Sequence, residues 1–311
     1  MPDKLYQKGF WKIFALRRSV RILPVFWAAL FLGVISVKLM SPEYSSEALL
    51  TGGNTQAINR DLFFSIFGIA EIARFFGVTE LYPGNGPLST VAVEMLLYAS
   101  YPLFLFIHKR FGFSGLIGFG LLMYSSIVLA RFLGIEPASI HGTWFEFVIY
   151  WIIGAVCATI YAKGVISHNG ALIKLAFLIT GGYLCYLLLI SFIHIKGFYV
   201  VTTLLLALLT GGLLICLLVL ESKLNQWQIR IAGFMAIVGE RSYSLYVVHT
   251  PVILTMLWFL SAHTNLSIFS YPWITLSLVF IATELMFRFV EQPSHLLARG
   301  WRQEGSHSGG Y

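Results

Sequence analysis

The stretch RRSVRILPVFW, residues 17–27, sets three arginines in five positions directly against an apolar run that continues to about residue 40. An α-helix rises about 1.5 Å per residue, so roughly 20 predominantly apolar residues cross the hydrocarbon core of a bilayer. The run from Ile22 meets that length and carries one charge, Lys38, near its far end. A chain crossing lipid must satisfy its backbone hydrogen bonds internally, so this run reads as a membrane-spanning helix with concentrated positive charge at its mouth.

The rest of the chain follows the same pattern. Of 311 residues, 58% are hydrophobic and 11% charged, where a soluble domain carries about 25% charged residues, and the mean hydropathy is +0.79. Seven further stretches are long enough to span, at about 88–107, 113–134, 143–162, 171–193, 198–220, 242–261 and 271–290. A ninth stretch at about 61–76 is short and holds Asp61, Glu71 and Arg74, which suits an interfacial or re-entrant helix. The expected fold is all-α: one membrane domain over residues 1–311, with a cytoplasmic basic segment 1–21, a transmembrane bundle 22–290 and a cytoplasmic tail 291–311.

The basic residues set the expected orientation, because cytoplasmic connections collect Lys and Arg. With the N-terminus inside, the inner side gathers 16 of the 21 basic residues. The outer connections hold Arg60, Arg74 and Lys196, and Lys38 and Arg131 lie near outer helix ends. Both termini are therefore expected in the cytoplasm. The formal charge of +7 is used up in these short connections, so no basic face is left for nucleic acid. Cys157, Cys185 and Cys216 sit inside apolar runs as small packing residues, and the histidines show no metal-ligand spacing, so no metal is expected.

Two readings of Arg17, Arg18 and Arg21 stand side by side. As an anchor they snorkel to lipid phosphates. As a site, their helical spacing of three and four residues makes three guanidinium forks converge, and such forks match phosphate geometry. Coenzyme A, a cytosolic donor with several phosphates, suits that patch. Pro24 is a possible irregularity at the start of the helix.

Inside the spans, three ionisable residues are candidates for catalysis, since such groups are costly in lipid. His249 is expected about 10 Å deep from the inner side, by the helical rise. Glu284 reaches a similar depth from the other direction, so the two are expected to be neighbours, with the glutamate charging an imidazole base. Glu94, roughly 9 Å below the outer boundary by the same measure, either orients an acceptor or ties helices together through a tyrosine or tryptophan. His249 has its own structural alternative, a bond to a carbonyl freed by Pro251. The outer-facing Glu136, His141, Trp144 and Glu146 suit either an acceptor entrance or an aromatic belt.

Four motifs in order carry a resemblance. RRSVRILPVFW is similar to the arginine motif of membrane acyltransferase family 3, and PLSTVAVEMLLYASYPLF (87–104) places Glu94, Tyr98 and Pro102 on its pattern. GERSYSLYVVHTPV (239–252) resembles its late Ser-Tyr-Ser-Leu-Tyr helix, and FRFVEQP (287–293) its closing Arg-Phe-x-Glu-x-Pro signature. The resemblance implies a helical bundle that moves an acyl group, often acetyl, from cytosolic acyl-CoA to a hydroxyl of a carbohydrate or glycan. It implies acyl-CoA, a carbohydrate acceptor and membrane lipid as partners, and a bacterial inner membrane as the location. Members usually begin with two more helices, the first bearing an essential histidine; the chain starts at the loop after them. The expectation is then either a start assigned downstream or a truncated, non-catalytic relative. A transporter or flippase of a lipid-linked or anionic solute is the reading from another class, with Glu94, Glu284 and His249 along its path.

Overall fold

A computed structural model describes residues 10–39, 63–68, 82–133, 144–163, 174, 177–183, 185, 199–221, 226–263 and 271–307. Among them the regular elements are all helical: α1 (Phe10–Leu39), α2 (Leu88–Ala99), α3 (Tyr101–Phe132), α4 (Trp144–Ala162), α5 (Tyr199–Glu221), α6 (Gln226–Glu240), α7 (Ser242–His263), α8 (Pro272–Met286), a π-helical turn (Phe287–Glu291) and α9 (Gln292–His307). Among the described residues four helices are long and apolar enough to cross a membrane, within Phe10–Leu39, Tyr101–Ala130, Ser242–Leu260 and Pro272–Gly300, and three shorter apolar helices accompany them. Large apolar side chains such as Trp273, Phe280 and Phe289 stand exposed along the last of these, a surface that lipid covers and water does not. The chain is an integral membrane protein.

The chain falls into two compact units, residues 1–99 with 235–311, and residues 100–234. In the first, α1 begins well before the apolar run, so the three arginines ride on the same rigid helix that enters the core. Its buried residues Ile22, Val25, Phe26, Ala29, Leu30, Gly33, Ser36 and Val37 recur at three- and four-residue spacing, one stripe of a helix. That stripe packs with Leu88, Val91 and Ala92 of α2, Val247 and Val248 of α7 and Met286 of α8. Pro24 lies inside a continuous helix. In the second unit α4 packs between α3 and α5, with Tyr124, Ile149 and Ala207 at its centre.

Several sequence boundaries move. The expected span 88–107 is two helices, because Ser100 forms a turn and α3 restarts at Tyr101. Pro102 explains this: it has no N–H to give the carbonyl of Tyr98, and as the second residue of α3 it needs none. The expected connection at 108–112 is instead a kink in α3 at Gly112, whose φ of 66° and ψ of −162° suit glycine. Residues 291–307 continue the last helix. The passage runs through the π turn, where the N–H of Gln292 bonds the carbonyl of Phe287. The stretches 61–76 and 171–193 lie largely outside the described residues; of the former, 63–66 form a helical turn whose Ile66 carbonyl accepts from Trp27 Nε1 at 3.0 Å.

One turn fastens the first unit. Residues Tyr82 to Asn85 form a β-turn closed by the Asn85 N–H on the Tyr82 carbonyl at 3.0 Å, with Pro83 and Gly84 in its corners and Gly84 at φ 66°. A Cβ on Gly84 would collide with the carbonyl of Gly33, and one on Gly33 with the carbonyl of Pro83, so turn and helix meet backbone to backbone. This approach delivers the fully buried Asn85 amide to two helices, donating from Nδ2 to Ala29 O at 3.1 Å and to Val247 O at 2.8 Å. The Val247 carbonyl is the one that Pro251, lacking an N–H, leaves without its helical donor.

Replacing Asn85 by leucine is expected to leave that carbonyl buried and unpaired, at a cost of about 1–3 kcal/mol. Thermal unfolding of the purified protein in detergent should show the drop in Tm; an unchanged Tm would remove this role for Asn85.

Candidate functional site

The arginines of α1 converge as their spacing predicts, and each is aimed by a different partner. Arg17 Nε donates to Ala298 O at 3.1 Å, Arg18 Nη1 to Tyr98 Oη at 3.2 Å, and Arg21 Nε to His295 Nε2 at 3.2 Å. Arg18 also lies over the rings of Tyr98 and Phe14, at 4.4 Å and 5.6 Å from their centroids. A guanidinium has five N–H donors, and each of these three uses one on a described residue. The remaining donors stand beside a cavity of about 670 Å³ lined by the three arginines, Tyr243, Glu291 and Arg299, among others. The site lies wholly within the first unit.

The Arg18 contact leads inward. Tyr98 Oη donates to Glu94 Oε1 at 2.9 Å, the pairing expected of residues four apart on α2. Two residues singled out from sequence, Arg18 and Glu94, are thus joined through a third on the same family pattern. Glu94 Oε2 has no hydrogen-bond partner among the described residues.

Glu291 forms the opposite wall. It is 2% exposed, and its Oε2 accepts from Ser244 Oγ at 2.5 Å. Its Oε1 lies 3.7 Å from His295 Nε2. That nitrogen is already the acceptor for Arg21, so His295 stands as the neutral ring with its proton on Nδ1. Glu291, His295 and Arg299 recur every four residues, which lines them along one helix face; that spacing, with the motif glutamate of FRFVEQP, was the signal that could have found them.

The other two candidates are placed elsewhere. His249 keeps its ring on its own helix, with Nδ1 to Leu245 O at 3.3 Å and Nε2 to Thr250 Oγ1 at 3.1 Å. Its expected bond to a carbonyl freed by Pro251 is absent, since Asn85 takes that carbonyl. Glu284 does not pair with His249: its carboxylate bridges Arg241 Nε at 2.7 Å and Arg288 Nε at 2.6 Å. The depth count overlooked these two cations, one of them four residues along the same helix. Glu136 and His141 lie outside the described residues.

A comparison with protein families gives a match over residues 4–287 to a model described as an acyltransferase domain. Neither a curated protein nor a solved structure gives a match.

Ser244→Ala is expected to lower stability by about 1.5–3 kcal/mol, because Glu291 keeps its burial and loses its hydroxyl donor. Melting curves of the purified protein in detergent check this; an unchanged Tm would remove this role for Ser244.

Proposed function

Since the chain belongs to acyltransferase family 3, we propose that it is a membrane O-acyltransferase which takes an acyl group, acetyl in the first instance, from acyl-CoA and gives it to a hydroxyl of a carbohydrate or glycan. Family membership supports acyl transfer in general. The observation that carries the donor is the arginine pocket: Arg17, Arg18 and Arg21, each aimed by one hydrogen bond and each with further donors at the cavity, beside Arg299. Guanidinium forks of this kind grip phosphate oxygens bidentately, and the nucleotide end of coenzyme A offers several. The concentration of basic residues on one side of the chain supports a cytosolic mouth for the pocket, in an inner membrane with both termini inside.

The chain from Arg18 through Tyr98 to Glu94 supports a direction for the donor. With the phosphates at the arginines, the thioester extends past Tyr98 and Tyr243 towards Glu94. Glu94 has an oxygen left to accept a proton, which suits a general base for the acceptor hydroxyl. The hydroxyl oxygen attacks the thioester carbonyl, its proton passes to Glu94, and collapse of the tetrahedral intermediate breaks the C–S bond. The thiolate takes that proton back and leaves as coenzyme A. In this reading His249 and Glu284 serve packing and electrostatics away from the reacting atoms.

Membranes from cells expressing the full chain, given labelled acetyl-CoA, are expected to pass label to cell-envelope glycan. Arg18→Ala and Arg21→Ala, at wild-type protein levels, should each lower transfer at limiting acetyl-CoA by about tenfold or more, the loss of a charge-assisted hydrogen bond of about 1.5–3 kcal/mol. Undiminished transfer in both variants would sink the reading.

A further inference from the structure

Around the arginine pocket, nearly every hydroxyl proton is committed. Tyr98 gives its proton to Glu94, Ser244 to Glu291 and Ser242 to the Gly239 carbonyl. Tyr243 is the exception. Its ring lines the cavity and packs against the core of the first unit, and its hydroxyl is buried with no hydrogen-bond partner among the described residues. It shares that cavity with Arg17, Arg18, Arg21 and Glu291.

A buried hydroxyl without a partner costs about 1–3 kcal/mol, so native proteins rarely keep one unless something else fills the vacancy. Tyr243 stands one residue before Ser244, whose bond to Glu291 fixes the start of α7 and with it the direction of the phenol. The group is thus held in place and has an unused proton. That combination suits a donor aimed at charge which appears only during reaction.

We propose that Tyr243 is a catalytic residue, its hydroxyl donating a hydrogen bond to the thioester carbonyl oxygen as the acceptor attacks. The assignment rests on the acyl-CoA reading of the pocket and adds a group that bears on the chemical step alone. As the acceptor oxygen forms its bond to the carbonyl carbon, the carbonyl electron pair moves onto oxygen, and Tyr243 stabilises that oxyanion without giving up its proton. When the intermediate collapses, the pair returns, the C–S bond breaks and Tyr243 is unchanged. Glu94 receives the acceptor proton and returns it to the thiolate.

The test compares wild type with Tyr243→Phe, which keeps the ring and removes one oxygen, and reads three quantities on the full chain: equilibrium binding of acetyl-CoA, transfer of labelled acetyl, and Tm. The expected result is binding within about twofold of wild type, kcat lower by about 100-fold as for loss of one oxyanion donor, and a Tm equal to wild type or higher, since an unpaired hydroxyl has been deleted. Transfer equal to wild type would overturn the proposal and leave the pocket reading standing. So would a fall in Tm with unchanged kcat, the mark of a hydroxyl that serves a structural water. Loss of binding in proportion to loss of transfer would place Tyr243 in donor binding and also overturn it. A wild-type chain that binds no acetyl-CoA would remove the pocket reading, and the assignment of Tyr243 with it.

Discussion

The Asn85 amide is the contact on which the first unit depends. A proline inside α7 leaves the Val247 carbonyl without a helical donor in a region where water does not reach, and lipid or protein offers no substitute by default. The turn at Tyr82–Asn85 supplies the donor, and it can do so only because Gly33 and Gly84 let two backbones meet. The same side chain bonds α1 at Ala29. A defect in one helix thus becomes the fastening of two, and the register of α1 against α7 follows from it.

That register is what turns a basic helix end into a site. Arginines at the end of a membrane helix ordinarily spread towards lipid headgroups. Here Ala298, Tyr98 and His295 each draw one guanidinium inward, so the charges lie over a common cavity. The π turn contributes on the facing side. By adding a residue to the last helix it seats Glu291 against Ser244 at the start of α7, which leaves His295 and Arg299 facing the arginines from the next turns. The buried carboxylate and the basic cluster are then parts of one arrangement, held by elements from both ends of the chain.

Much of this was legible in the sequence, where the relevant spacing is local. The all-helical membrane fold follows from run length and composition, the convergence of Arg17, Arg18 and Arg21 from three- and four-residue spacing, and the Tyr98–Glu94 bond from the same rule. Contacts between distant segments were not legible. Arg17 meets Ala298 across 281 positions and Arg21 meets His295 across 274, and no periodicity encodes such a pairing. The proposed pairing of His249 with Glu284 failed because depth along a helix says nothing about azimuth, while Arg288, one turn away, was a nearer partner for the glutamate. Asn85 escaped notice because a polar residue in a Pro-Gly turn normally faces water, and only the tertiary structure shows it buried.

The central claim is that the cavity beside α1 holds the nucleotide end of an acyl thioester. A density map of the full chain in lipid nanodiscs with saturating acetyl-CoA tests it most directly. The account predicts ligand phosphates within hydrogen-bond distance of Arg17, Arg18 and Arg21, with the thioester running towards Tyr243 and Glu94. Guanidiniums turned out among lipid headgroups, with the cavity free of ligand, would contradict it.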